Sequence, residues 1–151
     1  MEVQLSKAVD RAIRTHGEET YPYECCGFLL GKADESIRKV DGIYRQENQI
    51  DSSRETRYLI RPEAYKNAEK QAKETGQELV GIYHSHPDHP SRPSQYDLDH
   101  AWPWYAYLIL SVQSGKADSL EAWHMREDRS AFDEVILHVA DDEHLTINKG
   151  E

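Results

Sequence analysis

The segment Gly81-Ile-Tyr-His84-Ser-His86-Pro87 sets two imidazoles two residues apart, and Ser94-Gln-Tyr-Asp97 brings a carboxylate eleven residues beyond the second ring. Two imidazole nitrogens and a carboxylate oxygen are donors of the kind that hold a catalytic Zn²⁺, with one position left for water. The same donors with open positions also suit Fe(II). Side chains two apart on a strand leave the same face, so both rings can reach one ion. Each part has a plainer reading by itself. An H-x-H pair suits an ordinary polar strand end, and Ser94 with an acid three residues on is a near capping box that starts a helix. The conjunction points to a site: H-x-H at a strand end, a loop stiffened by Pro87, Pro90 and Pro93, then S-x-x-D.

Elements that must carry these residues can be read from periodicity. Leu79 to His84 is a buried strand, and Ser94 opens a short helix. Upstream, Leu5, Ala8, Val9, Ala12 and Ile13 form an amphipathic stripe that predicts a helix over residues 4–15, ended by Gly17. The run 25–31 is a buried strand and 36–44 a second one; 45–56 is a polar loop and 57–61 a short strand. Pro62 suits the first position of a helix running to about Thr75, with Gly76 as its stop. Strands follow over 105–112, 120–125 and 131–139. This interleaving predicts one α/β domain over 1–151, built on a single mixed sheet flanked by helices, with 127–151 an acidic C-terminal strand and tail.

Composition narrows the function classes. The chain has 151 residues, 38% hydrophobic and 30% charged, and no apolar run approaches a membrane span. The N-terminus lacks the basic-then-apolar order of a signal peptide, so a cytoplasmic protein is expected. Cys25 and Cys26 are adjacent and have no other cysteine to pair with, which suits a reducing compartment; they read as small buried hydrophobes. Net charge is −10, and residues 117–151 hold ten acids against three Lys/Arg. Such a surface repels nucleic acid and anionic membranes, and serves solubility or a basic protein partner. A zinc deaminase would need an H-x-E and a P-C-x-x-C pair, and neither is present.

Glu24, then His84-Ser85-His86-Pro87, then Ser94-Gln-Tyr-Asp97 resembles the core motif of the JAMM, or MPN-plus, metalloproteases. The run from Pro22 through Glu24, Cys26 and Gly27 to Gly31 is similar to that family's N-terminal element; Asn48 and Tyr58 to Pro62 also resemble family positions. The likeness covers roughly residues 4–126. It implies a sheet related to that of cytidine deaminases. It also implies zinc held by His84, His86 and Asp97, Glu24 as the general base that passes a proton to the leaving amine, and Ser94 as oxyanion donor. The implied reaction is cleavage of a peptide or isopeptide bond after the C-terminal Gly-Gly of a ubiquitin-like or sulfur-carrier protein. Short loops at 45–56 and 85–93 resemble the small stand-alone prokaryotic type, which favours carrier processing linked to cysteine biosynthesis or other sulfur metabolism. A Gly-Gly tail can thread a narrow groove or add a strand to a sheet edge beside the metal. The alternative is a non-catalytic MPN-type interaction module. His89 and His100 lie near the site in sequence, and Trp102-Pro-Trp104-Tyr-Ala-Tyr107 reads as core and sheet edge.

Overall fold

In the computed structural model, which describes residues 1–48, 58–140 and the backbone of 146–148, the apolar residues that predict one helix from residue 4 divide between two elements. Glu2–Ser6 is a strand, β1, and Lys7–Thr20 is helix α1. Val3 and Leu5 are buried at the two-residue spacing of a strand. Ser6 ends that strand and caps the helix, its Oγ accepting from the Val9 amide at 3.1 Å. Gly17 does not end α1. It is buried against Leu110 and Val112, where an added Cβ would collide with Leu110, so its missing side chain lets the helix press onto the sheet.

The remaining elements are β2 (Cys26–Ala33), β3 (Ile37–Gln46), α2 (Pro62–Glu74), β4 (Glu78–Pro87), α3 (Gln95–His100), β5 (Ala106–Gln113), β6 (Lys116–Met125), β7 (Phe132–Ala140) and β8 (Thr146–Asn148). The short strand expected over 57–61 is not formed at 58–61, and Arg57 lies outside the described residues, as does most of the expected loop 45–56. β4 outruns its apolar stretch because the ladder with β5 continues through His86↔Ser111 to Pro87↔Val112.

The single mixed sheet curls closed. Its order is β1-β7-β6-β5-β4-β2-β3-β8, and β1 also pairs in parallel with β3. Two apolar clusters line its faces. α1 packs Val9, Ala12 and Ile13 against Leu29, Tyr83, Leu108 and Leu110. α2 buries the small residues Ala64, Ala68 and Ala72 and sets Tyr65 against Phe28; Phe28, Leu30, Ile82, Tyr107 and Met125 fill that layer. Each fully buried large side chain contributes roughly 1.5–3 kcal/mol.

β4 and β5 approach closely at Gly81, where an added Cβ would strike the Ala106 carbonyl and the Leu29 side chain. The Ala106 backbone cannot yield as a flexible side chain would. Gly81→Ala is expected to lower unfolding free energy by about 1–3 kcal/mol, as overpacking does. Urea unfolding checks it: an unchanged midpoint would mean the strands part without cost.

Candidate metal centre

The alternation of β4 sorts its side chains. Ile82 joins the layer under α2, while Tyr83 joins the layer under α1. His84 and His86 follow Ile82 at the two-residue period and so share its face. The loop beyond is held by more than its prolines. Asp88 takes a positive φ of 59°; its amide donates to the Val112 carbonyl at 2.7 Å, and its carboxylate accepts from the Ser114 amide at 2.8 Å and the Tyr21 hydroxyl at 2.6 Å. The Ser111 hydroxyl donates to the His89 carbonyl at 2.7 Å. These bonds return the chain to Ser94 in one geometry.

At Ser94 a full capping box opens α3. Ser94 Oγ accepts from the Asp97 amide at 3.1 Å, and the Ser94 amide donates to Asp97 Oδ2 at 2.8 Å. The same Asp97 carboxylate faces both imidazoles. His84 Nε2 lies 3.2 Å from Oδ1, His86 Nε2 lies 3.1 Å from Oδ2, and the two Nε2 atoms are 3.1 Å apart. Tetrahedral bonds of roughly 2.0–2.1 Å place neighbouring donors about 3.3 Å apart, so this triangle is the size that one Zn²⁺ spans. His86 Nδ1 meets the Pro90 carbonyl at 2.8 Å. A carbonyl only accepts, so Nδ1 carries the proton and Nε2 presents its lone pair to the centre, the usual outer support of a metal-bound histidine. The His84 ring stacks on Tyr58 at 4.4 Å, and its Nδ1 is buried with no hydrogen-bond partner. Donor types, spacing and the His86 tautomer all fit a divalent metal.

Glu24 precedes β2 and is 2% exposed. A carboxylate oxygen of Glu24 and ring nitrogens of His84 and His86 lie within 4.8 Å of one another. Two contacts, from Ser85 and Asn48, hold it there. Ser85, between the two histidines, faces the other way; its hydroxyl accepts from the Cys25 amide at 2.9 Å, and its own amide donates to the Cys25 carbonyl at 3.1 Å. Asn48 Nδ2 donates to the Glu24 carbonyl at 3.3 Å, while Asn48 Oδ1 accepts from the Leu59 amide at 3.1 Å.

Two carboxyls thus flank the imidazoles, and their surroundings push them in opposite directions. Burial, reinforced by the charge of Asp97, raises Glu24 from 4.5 to about 9. Burial also works to raise Asp97, but the two imidazoles outweigh it and hold that carboxyl well below the usual range. Burial, opposed by Asp97, lowers His84 and so favours the neutral ring that can bind a cation. An ionised Asp97 is a ligand; a Glu24 that holds its proton is a proton carrier. The cysteines are no rival nucleophiles. Both are buried, and burial pushes the Cys25 thiol up to about 12 and Cys26 well above its ordinary value.

Two cavities meet the centre. One, of about 410 Å³, is lined by Glu24, His86, His89, Pro90, Arg92 and Ser94. The other, of about 610 Å³, borders Asp97 and is walled by aromatic side chains including Tyr58, Tyr65, Tyr96, Trp102 and Trp104. Trp102 and Trp104, expected in the core and at the sheet edge, are half-exposed, at 56% and 50%. The structure therefore brings Glu24, His84, His86, Ser94 and Asp97 together. His89 lines the first cavity and His100 the second. Among the described residues the strand that carries the histidines has no free edge, since β4 is paired with β2 on one side and β5 on the other.

Comparison with known proteins shows the family and the fold. The family model for prokaryotic homologs of the JAB domain matches residues 6–126. A desampylase of Haloferax volcanii is 34% identical over 115 residues, covering 72% of this chain and 81% of the relative. A Thermus thermophilus protein described as a probable TtuB-protein conjugate cleaving protease is 32% identical over 104 residues, covering 69% and 66%. The solution structure of a Desulfitobacterium hafniense protein superposes with a TM-score of 0.82 at 28% identity, over 94% of this chain and 96% of that one.

The raised Glu24 carboxyl links stability to pH. Its favourable contribution is intact below the ordinary value of 4.5 and is lost as pH climbs toward about 9, because the unfolded chain sheds the proton first. Metal-free Glu24→Gln is expected to melt with wild type near about pH 4 and at least roughly 2–4 °C above it near about pH 8. Thermal unfolding at the two pH values checks this; coincident melts at the higher pH would mean that Glu24 is solvated.

Proposed function

This chain belongs to the family of prokaryotic homologs of the JAB domain, and from that membership we propose that it is a zinc-dependent hydrolase. It cleaves the peptide or isopeptide bond after the C-terminal Gly-Gly of a ubiquitin-like or sulfur-carrier protein. The observation that supports this most is the buried triangle of His84, His86 and Asp97 nitrogens and oxygens, with a second, differently tuned carboxyl at Glu24 beside it. The relatives' names, a desampylase and a probable TtuB-protein conjugate cleaving protease, support cleavage of protein conjugates. Sulfur-carrier processing, as in release of cysteine from a carrier, is the finer reading, in a cytoplasmic enzyme whose residues 1–151 form one catalytic domain with an acidic C-terminal segment.

In this reading His84, His86 and Asp97 hold the ion. When bound, Zn²⁺ polarises the scissile carbonyl and lowers the pKa of its water to about 7. The chain's own residues do the rest. A Glu24 carboxylate oxygen accepts the proton of the attacking water and returns it to the leaving nitrogen. In the field of a bound cation this carboxyl titrates nearer the working pH than its burial alone allows. Ser94 Oγ already accepts from the Asp97 amide, which orients the hydroxyl and leaves its hydrogen to donate to the carbonyl oxygen as negative charge grows there. The aromatic cavity at Asp97 takes the carrier's tail, and its half-exposed tryptophans offer apolar surface to the carrier's body.

Purified protein is expected to hold about one zinc per chain by elemental analysis. Glu24→Gln keeps the zinc and loses roughly 10²–10⁴-fold in turnover of a Gly-Gly-linked conjugate. His84→Ala and Asp97→Ala lose both. A wild-type protein that takes up no zinc, or a Glu24→Gln variant as fast as wild type, would overturn the proposal.

A further inference from the structure

The two cavities at the centre divide the substrate between them, and the division follows from where the proton must go. Hydrolysis adds water oxygen to the carbonyl carbon, breaks the C–N bond, and delivers a proton to the departing nitrogen. That proton comes from Glu24 in the reading above, on which this inference rests. The nitrogen therefore leaves into space that Glu24 lines. Glu24 walls the 410 Å³ cavity and is not among the residues of the aromatic one. The smaller cavity is accordingly the leaving-group side.

Its lining carries a distinct charge pattern. Besides Glu24, it contains His86, His89, Pro90, Arg92 and Ser94, so Arg92 is its one permanent cation among the described residues. Arg92 stands two residues before Ser94, on the loop that the Asp88 and His89 bonds hold in place. Glu134 feels its charge, yet Arg92 forms no ion pair within 4 Å among the described residues. A guanidinium presents a planar fork of donors that matches a carboxylate. His89 adds a ring nitrogen on the same wall.

We infer that Arg92 selects leaving amines that carry a carboxylate next to the nitrogen: a free α-amino acid released from the end of the carrier. A lysine side chain leaving from an isopeptide offers no such anion, because four methylenes separate its nitrogen from a backbone that ends in amides. The site is thereby matched to a linear carrier-Gly-Gly-amino acid and discriminates against a branched conjugate.

The test uses the zinc-loaded full chain and a Gly-Gly-ending ubiquitin-like carrier, extended by one alanine bearing either a free carboxylate or a primary amide. Wild type is expected to favour the acid by roughly 10–100-fold in kcat/KM, the range of one charge-assisted hydrogen bond, with most of the difference in KM. Arg92→Gln collapses that preference toward unity, and Arg92→Lys, which keeps the charge without the fork, retains part of it. Matching melting curves and zinc content show that the variants are folded. Equal cleavage of acid and amide by wild type overturns the inference while leaving the hydrolase reading intact. So does an acid preference that survives in folded Arg92→Gln. Cleavage of neither substrate, with zinc bound, overturns this inference; if a branched Gly-Gly-lysine conjugate is left intact as well, the hydrolase reading falls with it.

Discussion

The Asp97 carboxylate is the point on which the molecule turns. One group closes the capping box of α3 through the Ser94 amide and meets both imidazoles of β4. α3 has only six residues, too few to persist on its own propensity. Its start is therefore fixed by the same atoms that complete the centre, and helix and site form together. Ser94 shares the economy: its hydroxyl caps the helix while facing the cavity that Glu24 lines.

Around this point the fold solves a solvation problem. Two carboxyls and two imidazoles are withdrawn from water within a few ångströms of one another. The sheet makes that tolerable by giving each a different environment. Asp97 has the helix start and the rings; His86 has the Pro90 carbonyl; Glu24, among the described residues, has neither a cation nor a hydrogen-bond donor strong enough to hold it ionised. The cost falls on Glu24. Stability is surrendered at a group whose chemistry depends on holding and releasing a proton, a common bargain at active sites.

How much of this was legible depends on how local the signal is. His84 and His86 were readable because a strand's two-residue period is written in adjacent positions, and Ser94 with Asp97 because a capping box spans four. Glu24 was not readable from its own neighbourhood. Its burial comes from the pairing of Cys26 with His84 across β2 and β4, and only the family resemblance pointed to it. The contacts of Ser85, and of Asn48, which only the resemblance marked, were hidden for the same reason, since each acts on a backbone group far along the chain. β1 was hidden because Leu5 fits both a strand of Val3 and Leu5 and the helical stripe that follows. The first few residues could not declare which partner they would find. Closure of the sheet has no local mark at all.

That closure has a bearing on how the chain reaches its fold. β1 pairs residue 2 with residue 136 on one flank and with residue 37 on the other, so a five-residue strand bolts together elements from opposite ends of the polypeptide. Contacts of such long sequence separation carry a heavy loop-closure cost and slow folding. On the ribosome, β1 and α1 are made well before β7. Until then the outer flank of β1 is an open edge, the kind of surface at which nascent chains stick to one another. The hazard belongs to the interval of synthesis and vanishes when the ring shuts.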